Sequence, residues 1–394
     1  MFEINEASDF VLTQIKIVGV GGAGGNAINT MINNKLDNVE FIAINSDVQD
    51  LKKSLAPNLI QIGPKATNGR GAGALPEMGQ KAAEESYEEI KKALTGADLI
   101  FLVAGMGGGT GTGALPIVAK AAKEMNILTM AVVTRPFPYE GKIRMDNAEV
   151  GLKNLRGFVD TLLVIPNNKI LENFPTIGVV EGFRESDMII FNGVKSLSDI
   201  ITKTGYINVE FSDIKTIMRN MGYALIGSGE AEGEDRAIIA AQNAITNPLL
   251  GDISISGCKA LLINIFAGTD MKMNELENAC NTITSQTGNN IICINGLFCD
   301  PEYDGRIRVT VLATGLEYDG EKLENTASVN KYAKASEYSD LESYGVSSGL
   351  KGFENLKNNF DQKVDPKELE ETSQEKKSEK EIESELPPFL NLLD

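Results

Sequence analysis

Asp98-Leu99-Ile100-Phe101-Leu102-Val103-Ala104 runs directly into Gly105-Met106-Gly107-Gly108-Gly109-Thr110-Gly111-Thr112-Gly113, and the segment Ala114 to Met125 follows. The first segment is a short apolar run bounded by turn residues, which predicts a buried parallel strand. The last is rich in Ala, Leu, Ile and Val and suits a helix. A strand, then glycines, then a helix N-terminus gathers many backbone N–H groups around one concavity. With no Cβ in the way the chain wraps closely on an anion, and the helix dipole adds positive potential. Thr110 and Thr112 add hydroxyl donors, so the expected ligand is a phosphate chain. A flexible linker does not fit between a buried strand and a regular helix. A Walker loop is excluded as well: it needs a Lys, and no basic residue occurs between Asp98 and Lys120.

A second glycine loop lies upstream. Gln14 to Val20 reads as the first strand, and Gly19-Val20-Gly21-Gly22-Ala23-Gly24-Gly25-Asn26 turns it into a helix ending near Asn34. Gly19-x-Gly21-x-x-Gly24 satisfies the dinucleotide fingerprint, so an NAD-dependent oxidoreductase is one reading, with Glu40 or Asp47 on the ribose. That motif explains only one of the two loops. A second, longer phosphate loop on a later strand of the same sheet fits a single triphosphate gripped from two sides. A nucleotide-regulated scaffold without catalysis is the third class.

Further strands are expected at Val39–Asn45, Leu59–Ile62, Ile127–Thr134 and Thr161–Pro166, with a helix from Pro76 to about Leu94 and another carrying Met145, Ala148, Leu152 and Leu155 on one face. Strands alternating with helices predict an α/β fold with a doubly wound parallel sheet and a ligand at the carboxyl ends of its strands. A long central helix then spans about Val180 to Lys203. Its stripe is Phe183, Asp187, Ile190, Val194, Leu197 and Ile201, in which Asp187 stands where an apolar residue belongs. A core-facing carboxylate needs a partner; an internal salt bridge is one choice and a ligand the favoured one. Beyond Gly222, strands at Tyr223–Glu230, Lys259–Ala267, Asn290–Asn295 and Arg306–Ala313, with helices at about Glu234–Thr246 and Asn274–Thr287, predict a second, smaller α/β domain.

Composition narrows the function. The net charge of −18 argues against nucleic acid or an anionic membrane as a direct partner. There is no histidine, which removes imidazole bases and His-ligated metal sites together. Four cysteines without a C-x-x-C pair fit reduced packing thiols. No signal-like or membrane-spanning segment stands out, so a cytoplasmic protein without direct membrane insertion is expected. Residues 317–394 hold 19 acidic and 10 basic residues, half of the chain's net charge, and should be disordered. They end in Leu386-Pro387-Pro388-Phe389-Leu390-Asn391-Leu392-Leu393, an apolar cluster suited to a partner-binding peptide.

GMGGGTGTG, together with VGVGGAGGNA (Val18–Ala27), NGRGAGALPE (Asn68–Glu77), VVTRPF (Val132–Phe137) and the terminal peptide, resembles the tubulin superfamily and, within it, the bacterial cell-division proteins. The resemblance covers about Gln14–Leu316 plus the last dozen residues. It implies a GTPase that binds GTP and GDP with Mg²⁺ and polymerises with itself, head to tail, into filaments of a midcell division ring. The implied division is an extension at 1–13, a GTP-binding domain at 14–178, the central helix at 179–203, the second domain at 204–316, a linker at 317–380 and a peptide at 381–394 for membrane-tethering adaptors.

Carried onto matching positions, the resemblance places Gly21, Gly22, Ala23, Gly24, Gly25 and Asn26 on the nucleotide, and Gly107, Gly108, Gly109, Thr110 and Gly111 on its phosphates. Glu140 and Arg144 would lie near sugar and phosphates. Asn167, Phe183 and Asp187 would frame guanine, whose N1–H and exocyclic amine suit a carboxylate. Gly205 to Asp213 resembles the synergy loop, which enters the pocket of the next subunit; Asn208, Glu210 and Asp213 are its candidate catalytic residues. Family members commonly carry Asp where this chain has Glu210. Read from local pattern alone, Ser212 or Asp213 could equally cap the helix that follows. No protein metal ligand is expected.

Overall fold

The strands Ile15–Val20 (β1), Leu99–Gly105 (β4) and Leu128–Arg135 (β5) are buried almost end to end, because helices cover both faces of their sheet. The computed structural model describes residues 13–203, 205–246, 254–288 and 291–317. The extension at 1–12, the linker and the terminal peptide at 381–394 lie outside the described residues. With Glu40–Asn45 (β2), Asn58–Gln61 (β3) and Thr161–Pro166 (β6), the first half forms parallel strands in the order β3-β2-β1-β4-β5-β6. The order reverses between β1 and β4, and a doubly wound sheet has its ligand crevice at that point. Both glycine loops leave the carboxyl ends of these two strands.

Helices Gly21–Asn33 (α1), Val48–Leu51 (α2), Pro64–Thr67 (α3), Pro76–Glu85 (α4), Tyr87–Leu94 (α5), Thr110–Glu124 (α6), Lys142–Arg156 (α7) and Asn168–Asn173 (α8) accompany this half. Helix Val179–Thr202 (α9) and helix Phe211–Met218 (α10) lead to Gly222–Glu232 (β7), Arg236–Ile245 (α11), Ala260–Ala267 (β8), Met273–Thr284 (α12), Ile292–Cys299 (β9) and Arg306–Leu316 (β10). The α/β class and the two-part architecture agree with the sequence reading, with one difference. The second half does not make a separate sheet: β7 pairs parallel with β6 through Thr161–Gly222 to Leu163–Ala224, giving one ten-stranded sheet that continues β7-β10-β8-β9. β10 is antiparallel to β7 and β8, and β9 runs parallel to β8 at the edge. One core packs α4 to α7, α11 and α12 on one face, through residues such as Ile90, Leu115, Leu152 and Ala240. The other packs α1, α9 and α10 through Ile28, Val194, Leu197 and Ile214.

Three local departures have physical causes. The helix expected over Pro76–Leu94 breaks at Ser86, whose φ of −106° and ψ of 22° leave the helical region and whose hydroxyl accepts the Gly63 N–H at 3.1 Å. The helix after the glycine loop begins at Thr110 rather than Ala114, because its glycines are contact points between helices. A Cβ on Gly113 would stand 1.9 Å from Pro76 O, and one on Gly79 would stand 2.3 Å from Gly109 O. Strand β9 runs on to Cys299, past the expected end at Asn295, since Gly296 continues the pairing with β8.

The two halves are also joined through α10. Its last carbonyls, like those of any helix end, need partners outside the helix. Thr161 Oγ1 on β6 donates to Met218 O at 2.7 Å, and Thr314 Oγ1 on β10 donates to Ile217 O at 2.5 Å. Both threonines are fully buried. Thr161→Val and Thr314→Val keep the shape and strand propensity; the first leaves Met218 O only the longer bond from the Met221 N–H at 3.3 Å, and the second leaves Ile217 O unpaired. Each should lower stability by about 1–3 kcal/mol in denaturant unfolding; an unchanged midpoint would show that the carbonyls find another partner.

Candidate functional site

Helix α6 begins at Thr110 with no side-chain cap on Gly109 and no acidic residue in its first turn. Its first N–H groups therefore have no partner of their own and point into the space beside the β1–α1 turn. The Thr110 and Ser46 hydroxyls share a hydrogen bond of 2.7 Å, which fixes the threonine rotamer at that helix start. Between the two loops lies a cleft of about 480 Å³.

The cleft gathers Gly21, Gly22, Ala23 and Asn26 from the first loop and Gly108, Gly109, Thr110 and Gly111 from the second. Glu140, Arg144, Asn167, Phe183 and Asp187 also line it. Gly24, Gly25 and Gly107 do not. Gly24 is a packing glycine, since a Cβ there would stand 2.5 Å from Val103 O. Gly25 faces open space and lines a smaller adjoining pocket with Gly21, Gly22, Asn26 and Asp50. Gly107 has φ +100°, and its Cβ would meet Pro136 Cγ at 2.6 Å and Arg144 O at 2.7 Å. Its N–H donates to Thr112 Oγ1 at 2.8 Å, so this glycine shapes the loop from behind. Met106, Thr134, Pro136 and Ser186 line the cleft without having been singled out from sequence.

Arg144 is the one cation among the lining residues. It is held by Glu140 at 2.5 Å, while the other Glu140 oxygen accepts the Phe137 N–H at 2.9 Å. Phe183 stands edge-on to Phe137 at 5.3 Å between centroids and leaves 47% of its surface exposed, as a wall waiting for a flat partner. Ser186 donates to Asn167 Oδ1 at 2.9 Å, which leaves the Asn167 amide N–H₂ to the cleft.

Asp187 has no hydrogen bond or ion pair among the described residues. Burial without a counter-charge pushes its carboxyl up from 3.8 to about 7. The salt-bridge alternative is thereby removed, and the carboxyl lines the cleft.

Asn208, Glu210 and Asp213 are outside this cleft. Helix α9 has 24 residues, a length of about 36 Å at the helical rise of 1.5 Å per residue. Asp187 is its ninth residue, about 22 Å along the axis from Thr202, and the 205–213 loop follows its end. Helix α10 then descends to the amino-terminal edge of the sheet, where Asn220 N–H reaches Asp160 Oδ1 at 3.2 Å. Within the loop, Asp213 accepts the Glu210 N–H at 3.0 Å, Ser212 Oγ donates to Glu210 Oε2 at 3.2 Å, and Asn208 Oδ1 accepts the Gly205 N–H at 2.7 Å. The N-cap of α10 is thus Glu210, not Ser212 or Asp213, and Asp213 closes a capping box from the third helical position.

Known proteins place this arrangement. Residues 14–175 match the GTPase domain of the Tubulin/FtsZ family, and residues 222–317 match the C-terminal domain of the FtsZ family. A cell division protein FtsZ of Buchnera aphidicola is 43% identical over 396 residues, 99% of each chain. The chain belongs to the FtsZ family.

Within that family, the cell division protein FtsZ of Caulobacter vibrioides is 48% identical over 77% of this chain, which spans 60% of the relative's length. A solved FtsZ dimer of M. jannaschii, described as empty, is 42% identical with a TM-score of 0.72, covering 77% of this chain and 88% of that one. CetZ2 from Haloferax volcanii, described as a GTPγS-bound protofilament, is 26% identical with a TM-score of 0.68, covering 79% and 96%. The glycine loop Gly19–Gly24 thus lies in a GTPase domain, and nothing supports the NAD-oxidoreductase alternative. Among the described residues no helix is long and apolar enough to cross a membrane.

The raised Asp187 carboxyl makes stability depend on pH in a stated direction. Unfolded, the group titrates near the usual carboxylate value of about 3.9; folded and ligand-free, it titrates at about 7. The native state therefore binds more protons between those values. Its contribution is fully present below about pH 4 and is lost as pH rises through about 7. Denaturant unfolding of ligand-free parent and Asp187→Asn should show the parent losing stability relative to the variant across that window. A pH-independent difference would mean that Asp187 is ionised throughout.

Proposed function

We propose that this chain binds GTP between its two glycine loops and hydrolyses it only when a second copy completes the site. The supporting observation is that the cleft and the acidic loop 205–213 are separated by helix α9 and do not meet within one chain. The cleft holds the nucleotide-type groups, and the acidic loop 205–213 lies beyond a rigid helix. A second copy stacked head to tail brings its Asn208, Glu210 and Asp213 to the first copy's cleft. Such a contact is heterologous, so repetition yields an open filament unless the rotation closes.

In this reading the backbone N–H groups of Gly21, Gly22, Ala23, Gly108, Gly109 and Gly111 and the Thr110 hydroxyl hold the phosphates. Arg144 supplies the fixed positive charge, with Glu140 setting its position. Phe183 covers the flat face of guanine and Asn167 donates to it, while Asp187 accepts from N1–H and the exocyclic amine. Adenine has no such donor pair, so the carboxylate selects the base. Gly24, Gly25 and Gly107 act behind the cleft by shaping the turns.

No group of three or more acidic or thiol side chains suited to a metal occurs among the described residues. That fits Mg²⁺, which keeps several waters and binds chiefly through phosphate oxygens. Bound there, it neutralises phosphate charge; Asp213 and Glu210 of the neighbouring copy orient and deprotonate the attacking water. Loss of the γ-phosphate to give GDP loosens the contact and permits turnover.

The chain acts, in this account, as a cytoskeletal cell-division GTPase in the cytoplasm at midcell. Its functional division is a GTP-binding domain at 14–178, the helix 179–203 and a second domain at 204–316 that presents the acidic loop. Residues 381–394, tethered by the acidic linker, bind the adaptors that hold filaments at the membrane.

Asp213→Asn is the sharpest test, because the amide keeps the cap on the Glu210 N–H while removing the carboxylate. GTP binding by isolated subunits should be unchanged, and filaments should form and persist. Hydrolysis should fall by about 10²-fold or more, the scale of a lost general base. Parent-like hydrolysis would sink the shared-site mechanism.

A further inference from the structure

Asn264 lies in the middle of β8 and is fully buried, yet neither its amide nitrogen nor its oxygen has a hydrogen-bond partner. It stands opposite Gly296 on the edge strand β9 and Thr310 on β10. Asn and Gly are both poor strand residues, and here they face each other across one ladder. A Cβ on Gly296 would sit 2.5 Å from Asn264 Oδ1 and 3.0 Å from Val209 Cγ2. The glycine leaves room for the carboxamide, and the carboxamide lies beneath the acidic loop. Local rules broken at two paired positions without a structural gain mark a functional position.

The loop is laid on β9 just there. The Tyr206 and Ile207 N–H groups reach Leu297 O at 2.8 and 3.2 Å, and the Leu297 N–H returns to Ile207 O at 3.1 Å. The next two residues, Asn208 and Val209, make no backbone hydrogen bond among the described residues, although Val209 is buried. Asn264 Oδ1 and the Val209 side chain flank the same space over Gly296, and the Asn208 and Val209 main-chain groups beside it make no backbone hydrogen bond among the described residues. Buried polar groups are held by partners, and each of these two is what the other lacks.

We infer that Asn264 is a positioning residue for the 205–213 loop. Its carboxamide takes the main-chain groups of Asn208 and Val209 when the loop is pressed against the next subunit, which sets the reach of Glu210 and Asp213. This rests on the reading of that loop as the half-site delivered to a neighbour. It touches no nucleotide, so its loss acts on turnover and spares binding.

Full-length Asn264→Leu and Asn264→Ala, measured beside Asp213→Asn, test it. In both Asn264 variants the isolated subunit's GTP affinity and the KM should stay within about twofold of the parent, and kcat should fall at least about tenfold. The melting temperature of the leucine variant should not drop, because an unpaired buried amide has been removed. Parent-like kcat in a folded variant overturns the inference, as does an equal loss of affinity and kcat. Failure of both variants to fold overturns it too, since the carboxamide would then be a structural necessity. If Asp213→Asn hydrolyses like the parent, the loop reading itself has failed; if it is inactive while the Asn264 variants are not, only this inference has.

Discussion

The helical rise of about 1.5 Å per residue fixes the distance between two pieces of chemistry in this molecule. Helix α9 carries the cleft carboxylate Asp187 in its first half and releases the acidic loop at its end, and its 24 residues bury a stripe through Ile190, Val194, Leu197 and Ile200. Packed against the joined halves of a ten-stranded sheet, it has no freedom to fold its ends together. The cleft at the switch point and the loop 205–213 consequently do not meet within one chain. In the proposed reading that spacing assigns the glycine loops to the chain's own nucleotide and the acidic loop to a neighbour's.

The treatment of buried polar groups separates scaffold from site. The scaffold's buried charges are paired, although the buried Ser198 hydroxyl is not among the described residues: Arg236 is held by Glu275 at 2.7 and 3.1 Å and by Asp270 at 2.7 Å, an arrangement that pulls the Glu275 carboxyl below its ordinary range. Lys16 donates to Ala93 O at 2.9 Å and pairs with Glu40 at 3.0 Å. Asp187 and Asn264 are different. One faces the cleft and the other underlies the loop, and each keeps hydrogen-bonding capacity that the single chain leaves unused.

Much of the parallel half is legible in the sequence, because buried strands, glycine turns and helix starts are local events. Phe101 and Val103 sit in an unbroken apolar run whatever surrounds them. Asp187 is legible for a related reason: it interrupts a periodic stripe. What local pattern does not carry is which distant residues meet. Ser86 ends a helix because Gly63 needs an acceptor, and Gly79 and Gly113 are glycines because α4 and α6 nearly touch. The pairing of Ser186 with Asn167, the threonines that hold the end of α10, and the hydrogen bonds that fuse two expected sheets into one are all tertiary. Gly296 suggests a weak strand until its space is seen to belong to Asn264.

The central claim is that one chain holds no complete site. Its most direct measurement is the GTP hydrolysis rate per subunit as a function of subunit concentration, at saturating GTP and Mg²⁺. The account predicts almost no hydrolysis below a threshold concentration and a steep rise in rate per subunit above it, coincident with light scattering from filaments. A rate per subunit that stays constant down to concentrations where the chain is monomeric would contradict it.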